Sequence, residues 1–249
     1  MGEMHYSKPG AGDRFPPTRL SAIVSARAED PDERQRAFET IISAYWKPVY
    51  KYIRLKWYRT GEDAQDLTQS FFAQAIEKRF FDSYDPSKSR FRTFVRICLD
   101  GFLANEDKAA KRIKRGGNVQ TLSLDFEAAE GELRATREPA APVGEDFFDR
   151  EWTRSLFSLA LDSFRKKCEQ SGKQIQFNMF ERYYLSEDDS KPGYQRLSSE
   201  FEVPTTSVTN YLAFGRREFR KALLEHLQEL TSTDEEFRRE ARSLLGQEP

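Results

Sequence analysis

The chain has 249 residues, which is enough for two domains with their own cores. It contains 40 Lys and Arg and 41 Asp and Glu, so its net charge is only −1. Any strongly charged surface must therefore come from local segregation of the two signs. The cysteines, Cys98 and Cys168, and the histidines, His5 and His226, are not spaced as ligands or catalytic partners. Zinc, disulfide and histidine-based catalytic sites are therefore not expected, and no cofactor is predicted. Without a signal peptide or a membrane-length apolar run, we expect a cytoplasmic protein with no membrane contact.

The N-terminal part predicts a tail followed by helices. Residues 1–17 are rich in Gly and Pro and are expected to be disordered. Thr18 can cap a short helix over residues 20–27. Asp30, followed by a proline, begins a long amphipathic helix, and Pro48 within it predicts a bend or a split.

The next stretch predicts two more helices around a loop. Thr60 caps the first helix, and Phe81–Ser89 is expected to be a loop. The stretch from Arg90 to Arg115 carries apolar residues at the spacing of one helix face, with cations off that stripe or beyond its end. Such a helix can lie along a polyanion, and a solvated surface helix is the alternative.

Acidic residues dominate the middle of the chain. Between Asn118 and Asp149 there are eight acids and two arginines, with little apolar periodicity. We expect a flexible acidic linker at 118–148, between a first domain at 18–117 and a second at 149–230. A solubilising spacer is the alternative interpretation.

The second half predicts a helix-turn-helix. A helix over Tyr194–Phe201, a three-residue break and a long helix from Thr205 to Glu229 have the required lengths, although an ordinary helical hairpin remains open. Thr233 caps a final helix in an extension at 231–249. The residues expected to close the core of the helix-turn-helix are Leu197, Phe201, Val203, Val208 and Leu212.

Four segments in a fixed order carry a resemblance to a known family. They are DAQDLTQSFFAQAIEK, FDSYDPSKSRFRTFVRICLDGFLANE, MFERYYL and YQRLSSEFEVPTTSVTNYLAFGRREFRKALL. With them the chain resembles a sigma-70 family RNA polymerase sigma factor of the small, extracytoplasmic-function type. The resemblance implies an all-α fold of a helical-bundle promoter-melting domain and a helix-turn-helix domain. It also implies a non-enzymatic subunit that binds core polymerase, recognises minus-35 and minus-10 promoter elements and promotes DNA opening.

The resemblance assigns roles to two larger parts of the chain and to three groups of residues. The second domain would contact the polymerase flap, and the acidic linker would thread the polymerase channel that later holds RNA. The residues implied to bind the clamp helices of the largest polymerase subunit are Asp63, Asp66, Leu67, Gln69 and Phe72. Those implied at the minus-10 element are Tyr84, Arg90, Phe91, Arg92, Arg96, Lys108, Lys111 and Arg112. Those implied at the minus-35 element are Thr205, Thr206, Ser207, Thr209, Asn210, Arg216 and Arg217.

The chain departs from the family pattern at three positions. Glu202 replaces the usual glycine of the turn, so the turn is expected to be wider or differently shaped. Gly101 stands where a polar residue is usual, and Ser70 where the clamp-binding motif has an acid. The hypothesis that follows is a switch: phosphorylation of Ser70 or Thr68 by a Ser/Thr kinase would restore negative charge. A tolerated neutral substitution, or control by an anti-sigma factor, is the alternative.

Two other function classes compete with this interpretation. A stand-alone helix-turn-helix regulator would bind duplex DNA without polymerase and would need to dimerise, for example through Phe237–Leu245. A helical nuclease or nucleotidyltransferase would use Asp63 and Asp66 as a metal pair, but the sequence offers no evident third ligand nearby.

Overall fold

The structure is a computed structural model that describes residues 21–110, 124–135, 143–186 and 191–246, and it is all-helical within those ranges. The all-α class is thus confirmed there, while the predicted N-terminal tail lies outside the described residues. No described helix has the length and apolarity needed to cross a bilayer. The helices are α1 Ala22–Ser25, α2 Pro31–Lys56, α3 Gly61–Glu77, α4 Phe91–Ala110, α5 Phe126–Ala135, α6 Glu145–Gln170, α7 Gln174–Tyr184, α8 Tyr194–Glu200, α9 Thr205–Glu229 and α10 Asp234–Leu245, with a 3-10 turn at Phe80–Ser83.

Side-chain caps begin the helices where the sequence predicts them. The Asp30 carboxylate accepts the backbone N–H of Asp32 and of Glu33, each at 3.3 Å. The hydroxyls of Thr60 and Thr233 accept backbone N–H groups three residues on, both at 3.1 Å. These contacts satisfy donors that the first turn leaves unpaired, so the local sequence sets the helix starts.

Helix α2 is the central element of the larger hydrophobic core, and it packs against α1, α3, α5 and α6. It runs without interruption through Pro48, so the predicted split is wrong. Proline removes one backbone hydrogen bond. That loss is outweighed because α2 buries Tyr45, Val49, Tyr52 and Ile53 almost completely.

The predicted flexible linker contains the docked helix α5. Phe126 and Ala129 are buried, and the Phe126 ring lies 5.5 Å from the Trp46 ring and 5.2 Å from the Tyr50 ring. The sequence did not reveal this apolar face, because Phe126 and Leu133 are the only large apolar residues of α5. They lie two turns apart among acidic residues. The tract is therefore helical over Phe126–Ala135, and its role as a channel-threading linker stays a prediction.

A carboxylate of α5 reinforces its docking. Glu130 accepts hydrogen bonds from Arg54 at 2.7 Å and from the Tyr50 hydroxyl at 2.7 Å. The Arg54 hydrogen bonds lower the pKa of Glu130 from 4.5 to about 2. Because the folded pKa is depressed, this contact adds stability above about pH 4.5 and loses it as the pH falls towards 2.

Helix α6 links two hydrophobic cores. Its first half places Phe148 and Trp152 in the larger core with α2, and its second half places Phe164 and Cys168 in a smaller core with α7. With 26 residues it is about 39 Å long, long enough to serve both. The predicted domain boundary at residue 149 therefore does not coincide with a boundary between cores, because the aromatic stripe of α6 is buried against α2.

Candidate nucleic-acid interface

Helices α8 and α9 are joined by a short turn, as the sequence predicts for a helix-turn-helix. Leu197 of α8 and Val208 and Leu212 of α9 are buried together with Met179 of α7. Phe201 and Val203 pack against this cluster, as the sequence predicts. The core fixes how α9 projects from the domain.

The turn keeps a glycine-like shape although it contains Glu202. This residue adopts φ +52°, in the left-handed region that favours glycine. The backbone N–H of Val203 donates to the carbonyl of Ser198 at 3.1 Å, and the Ser198 hydroxyl donates to the carbonyl of Val203 at 2.6 Å. The bond from the Val203 N–H to the Ser198 carbonyl is the 6→1 backbone bond that closes helices ending in a left-handed residue. The expected wider turn is therefore wrong, because these bonds hold Glu202 in the strained conformation.

Replacing Glu202 by glycine should stabilise the protein. A non-glycine residue in the left-handed region costs roughly 1–2 kcal/mol, partly offset by the greater freedom of glycine in the unfolded chain. We expect Glu202→Gly to raise the free energy of unfolding by about 0.5–1 kcal/mol in urea denaturation. The control Ser199→Gly, at a helical position, should lower it by about 0.5 kcal/mol. A loss of stability in Glu202→Gly would contradict the strained turn.

The N-terminal half of α9 presents small polar side chains to solvent. Thr205, Thr206, Thr209 and Asn210 are exposed, whereas Ser207 is half-buried. In a helix-turn-helix, this half of the second helix is the part that reaches base edges in the major groove. The structure therefore places four of the predicted minus-35 residues on the exposed side of the N-terminal end of α9.

A cationic and aromatic patch adjoins α9. Arg216 is exposed and donates to the Tyr184 hydroxyl at 2.7 Å, and the Lys191 ammonium lies 5.5 Å from the centres of the Tyr183 and Tyr184 rings. Arg217, also exposed, contacts Glu218 at 3.4 Å. The sequence did not predict Tyr183, Tyr184 or Lys191 as part of this surface, because only the contact of Arg216 with Tyr184 and of Lys191 with both rings places them there.

Helix α3 carries the predicted polymerase-binding residues. Asp63 and Asp66 are exposed, and Leu67 and Gln69 are half-buried. Phe72 is completely buried, so its prediction as a contact residue is wrong. It follows Asp66 by six positions, about 240° around the helix, and therefore points into the core.

The two predicted phosphorylation sites differ in accessibility. Ser70 is half-buried one turn after Asp66 and two turns after Asp63, on the same face of α3. Thr68 is completely buried, and its hydroxyl donates to the Ala64 carbonyl at 2.7 Å. Thr68 is thus out of reach of a kinase in this structure, because it lies on the core side of the helix.

Two predicted minus-10 aromatics belong to the core. The Phe91 ring lies 5.6 Å from the Tyr45 ring and 5.4 Å from the Phe81 ring, and it is 2% exposed. Tyr84 is also buried, with its ring 4.9 Å from that of Phe91. Their predicted role in holding an unstacked base is therefore not open to them here. Core and base-stacking aromatics look alike in sequence, which explains the error.

Carboxylates contact the predicted minus-10 arginines. Arg92, buried at the start of α4, lies between Glu240 of α10 and Asp149 of α6, with its Nε 3.0 Å from Asp149. The guanidinium of Arg92 also lies 4.7 Å from the centre of the Trp152 ring.

Its neighbours on the same stretch are paired as well. Arg90 lies 3.3 Å from Glu240, and Arg96 lies 3.3 Å from both Asp100 and Glu145. The side chain of Lys108 and the whole of Lys111 and Arg112 lie outside the described residues. Arg90, Arg92 and Arg96 are therefore the predicted minus-10 cations whose side chains the structure describes, and each of them contacts a carboxylate.

Comparisons with protein families, curated proteins and solved structures found no match to this chain. Among the described residues, no three His, Cys, Asp or Glu side chains are grouped so as to hold a metal ion. The pair Asp63 and Asp66 of the nuclease alternative thus gains no third ligand from the described part of the chain.

Proposed function

We propose that this protein is a sigma-70 type specificity subunit that directs core RNA polymerase to promoters and helps to open the DNA. The observation that carries the proposal is the helix-turn-helix of α8 and α9, whose second helix presents exposed small polar side chains at its N-terminal half. The four ordered segments in which the chain resembles the sigma family are the reason to propose RNA polymerase as the partner. The exposed acids of α3 offer a suitable contact surface for it.

The geometry of α9 supports a role in DNA recognition. Thr205, Thr206, Thr209 and Asn210 offer hydroxyl and amide groups to base edges of a minus-35 element in the major groove. Arg216, two to three turns further on, is placed for a backbone phosphate, and Lys191 extends the cationic surface. Phosphate contacts fix the register and the base contacts give the specificity.

Polymerase binding is assigned to α3. Asp63 and Asp66 are exposed on a face that Ser70 shares, and such a face suits a basic coiled coil like the clamp helices of the largest subunit. The second domain would contact the flap region. Under this proposal Arg90, Arg92 and Arg96 approach the phosphates of the minus-10 element during opening.

Co-purification with core polymerase tests the proposal. The wild type should bind stoichiometrically, and Asp63→Arg with Asp66→Arg should weaken binding at least about 100-fold, because four units of charge are reversed against a basic partner. The control is Asp162→Arg with Glu169→Arg on α6, two exposed acids outside the α3 face, which should bind like the wild type. Equal binding by both double variants would contradict the α3 surface.

The same assay tests the switch at Ser70. If the wild type binds weakly, Ser70→Glu should bind more tightly than Ser70→Ala, because it adds a negative charge one turn after Asp66 on the same face of α3. Equal binding by wild type, Ser70→Glu and Ser70→Ala would rule out control through this position.

The stand-alone regulator is the second candidate, and the exposed α9 is the observation that favours it. Its expected dimerisation surface, however, is used within the chain: Phe237, Leu244 and Leu245 of α10 pack against the larger core. Tight binding of duplex DNA by the protein alone, as a dimer, would favour the regulator over the polymerase subunit.

A further inference from the structure

The C-terminal helix α10 places two carboxylates inside the protein. Glu236 is 2% exposed and Glu240 is 3% exposed, although both are acidic and α10 is a surface helix. They are four residues apart, so they project from the same face one turn apart. That face meets the start of α4 and the loop before it, where the minus-10 surface is proposed.

Glu236 binds donors from the loop before α4. One carboxylate oxygen accepts the Tyr84 hydroxyl at 2.5 Å and the backbone N–H of Phe91 at 3.2 Å. The other accepts the backbone N–H and the hydroxyl of Ser232, at 2.8 and 3.0 Å, as in a capping box. Glu236 therefore both begins α10 and attaches it to the minus-10 loop.

Glu240 neutralises the cations of the same surface. It pairs with Arg92 and lies 3.3 Å from the Nε of Arg90. Asp149 contacts Arg92 from α6, and Glu145 contacts both Arg96 and the Thr93 hydroxyl. Three arginines that would meet DNA phosphates are thus each paired with a carboxylate from α6 or α10.

Desolvation weakens this contact, which makes it displaceable. Glu240 Oε1 and Arg92 Nε are buried and form ion pairs, with Arg90 at 3.3 Å and with Asp149 at 3.0 Å, but neither pair has the geometry of a hydrogen bond. Burial raises the pKa of Glu240 in spite of Arg92 and Arg90, so desolvation offsets much of the attraction. A buried ion pair adds little net stability when its desolvation is incompletely compensated.

We propose that α10 is an intramolecular competitor of DNA, whose Glu236 and Glu240 carboxylates occupy the donors that the phosphates of a single strand would use at the start of α4. The proposal rests on the proposed function for the identity of that surface. Arginine, tyrosine hydroxyl and backbone N–H groups bind carboxylate and phosphate oxygens alike. In the closed state these donors are occupied. The apparent affinity for a single strand is therefore the intrinsic affinity multiplied by the fraction of molecules in which α10 is released.

The test compares two full-length double variants with the wild type. Glu236→Gln with Glu240→Gln removes the charges and keeps the side-chain shapes. The one remaining acceptor oxygen at position 236 can accept from Ser232, and the amide NH2 then faces the donors of Tyr84 and Phe91. The matched control, Asp234→Asn with Glu235→Gln, removes two charges from the exposed side of the same helix. Any general gain in DNA affinity from lost negative charge appears equally in both.

Two measurements are made on each protein. Hydrogen–deuterium exchange of residues 234–245 reports release of α10. Fluorescence anisotropy with a labelled single-stranded oligonucleotide of mixed sequence, at one fixed salt concentration, reports access to the DNA surface. We expect the Glu236 and Glu240 variant to exchange faster in α10 and to bind the oligonucleotide about tenfold more tightly, with the control within about twofold of the wild type.

Either of two results would overturn the proposal: unchanged exchange of α10 in the Glu236 and Glu240 variant, or faster exchange with the same oligonucleotide affinity as the control. Co-purification of the wild type with core polymerase separates this failure from failure of the proposed function. If polymerase binds while oligonucleotide affinity does not change, competition by α10 is wrong and the sigma proposal stands. If polymerase does not bind while the expected gain occurs, α10 covers a nucleic-acid surface that serves another function.

Discussion

Trp152→Ala is expected to lower the free energy of unfolding by about 3–5 kcal/mol, because it empties a central position of the larger core. Trp152 is 2% exposed, and its ring lies 6.3 Å from the Tyr45 ring, with the Arg92 guanidinium 4.7 Å from its centre. Truncation would remove the aromatic surface that joins the first half of α6 to α2 and α4. It would also deprive the buried Arg92 of its cation–π contact.

Urea denaturation followed by circular dichroism measures this loss without relying on tryptophan fluorescence. Ile97→Ala on α4 is the control, since Ile97 is 54% exposed and its truncation should change stability by about 0.5 kcal/mol or less. A loss below about 1 kcal/mol in Trp152→Ala would mean that the first half of α6 does not belong to the larger core. The two halves of the chain would then have separate cores, as the domain boundary predicted at residue 149 implies.

Lys51→Met should have a similarly large effect, because Lys51 joins three helices. Its ammonium lies 2.6 Å from Glu132 of α5 and 2.7 Å from Glu151 of α6, and the side chains of Lys51 and Glu151 are 5% and 4% exposed. Removing Lys51 leaves the buried Glu151 carboxylate with the exposed Arg154 as its remaining described partner, and the loss of one partner of a buried pair costs about 3 kcal/mol. The same denaturation assay measures the loss.

Lys47→Met provides a matched control for Lys51→Met. Lys47 contacts the same Glu132 at 2.7 Å but is 24% exposed, so its loss should cost about 1 kcal/mol or less. Adding Glu151→Leu to Lys51→Met should recover most of the stability, because an apolar pair replaces the buried carboxylate that has lost Lys51. Equal effects of Lys47→Met and Lys51→Met would show that α5 and α6 do not enclose Lys51.

Local signals in the sequence predicted much of the secondary structure. Asp30, Thr60 and Thr233 cap the helices that they were expected to begin, and the break before Thr205 separates α8 from α9. These features depend on residues a few positions apart, so one sequence suffices to locate them. The residues of α9 that face solvent followed from the same periodicity.

Long-range packing could not be predicted from the same patterns. Arg92 and Glu240 are 148 residues apart, and nothing local distinguishes an arginine that meets a carboxylate from one that meets a phosphate. Phe72, Tyr84 and Phe91 are of types suited equally to a core and to a binding surface, and only the packing of neighbouring helices showed that they are buried. The docking of α5 depends on partners on α2 for the same reason.

Promoter-directed transcription tests the central claim most directly. Core RNA polymerase from the native organism would be incubated with its fragmented genomic DNA, with and without this protein, and the transcript 5′ ends would be mapped. We predict defined start sites that depend on the protein, share two upstream sequence elements and disappear with the Asp63→Arg and Asp66→Arg double variant. No protein-dependent start sites, together with dimeric binding of duplex DNA in the absence of polymerase, would contradict the sigma-type function.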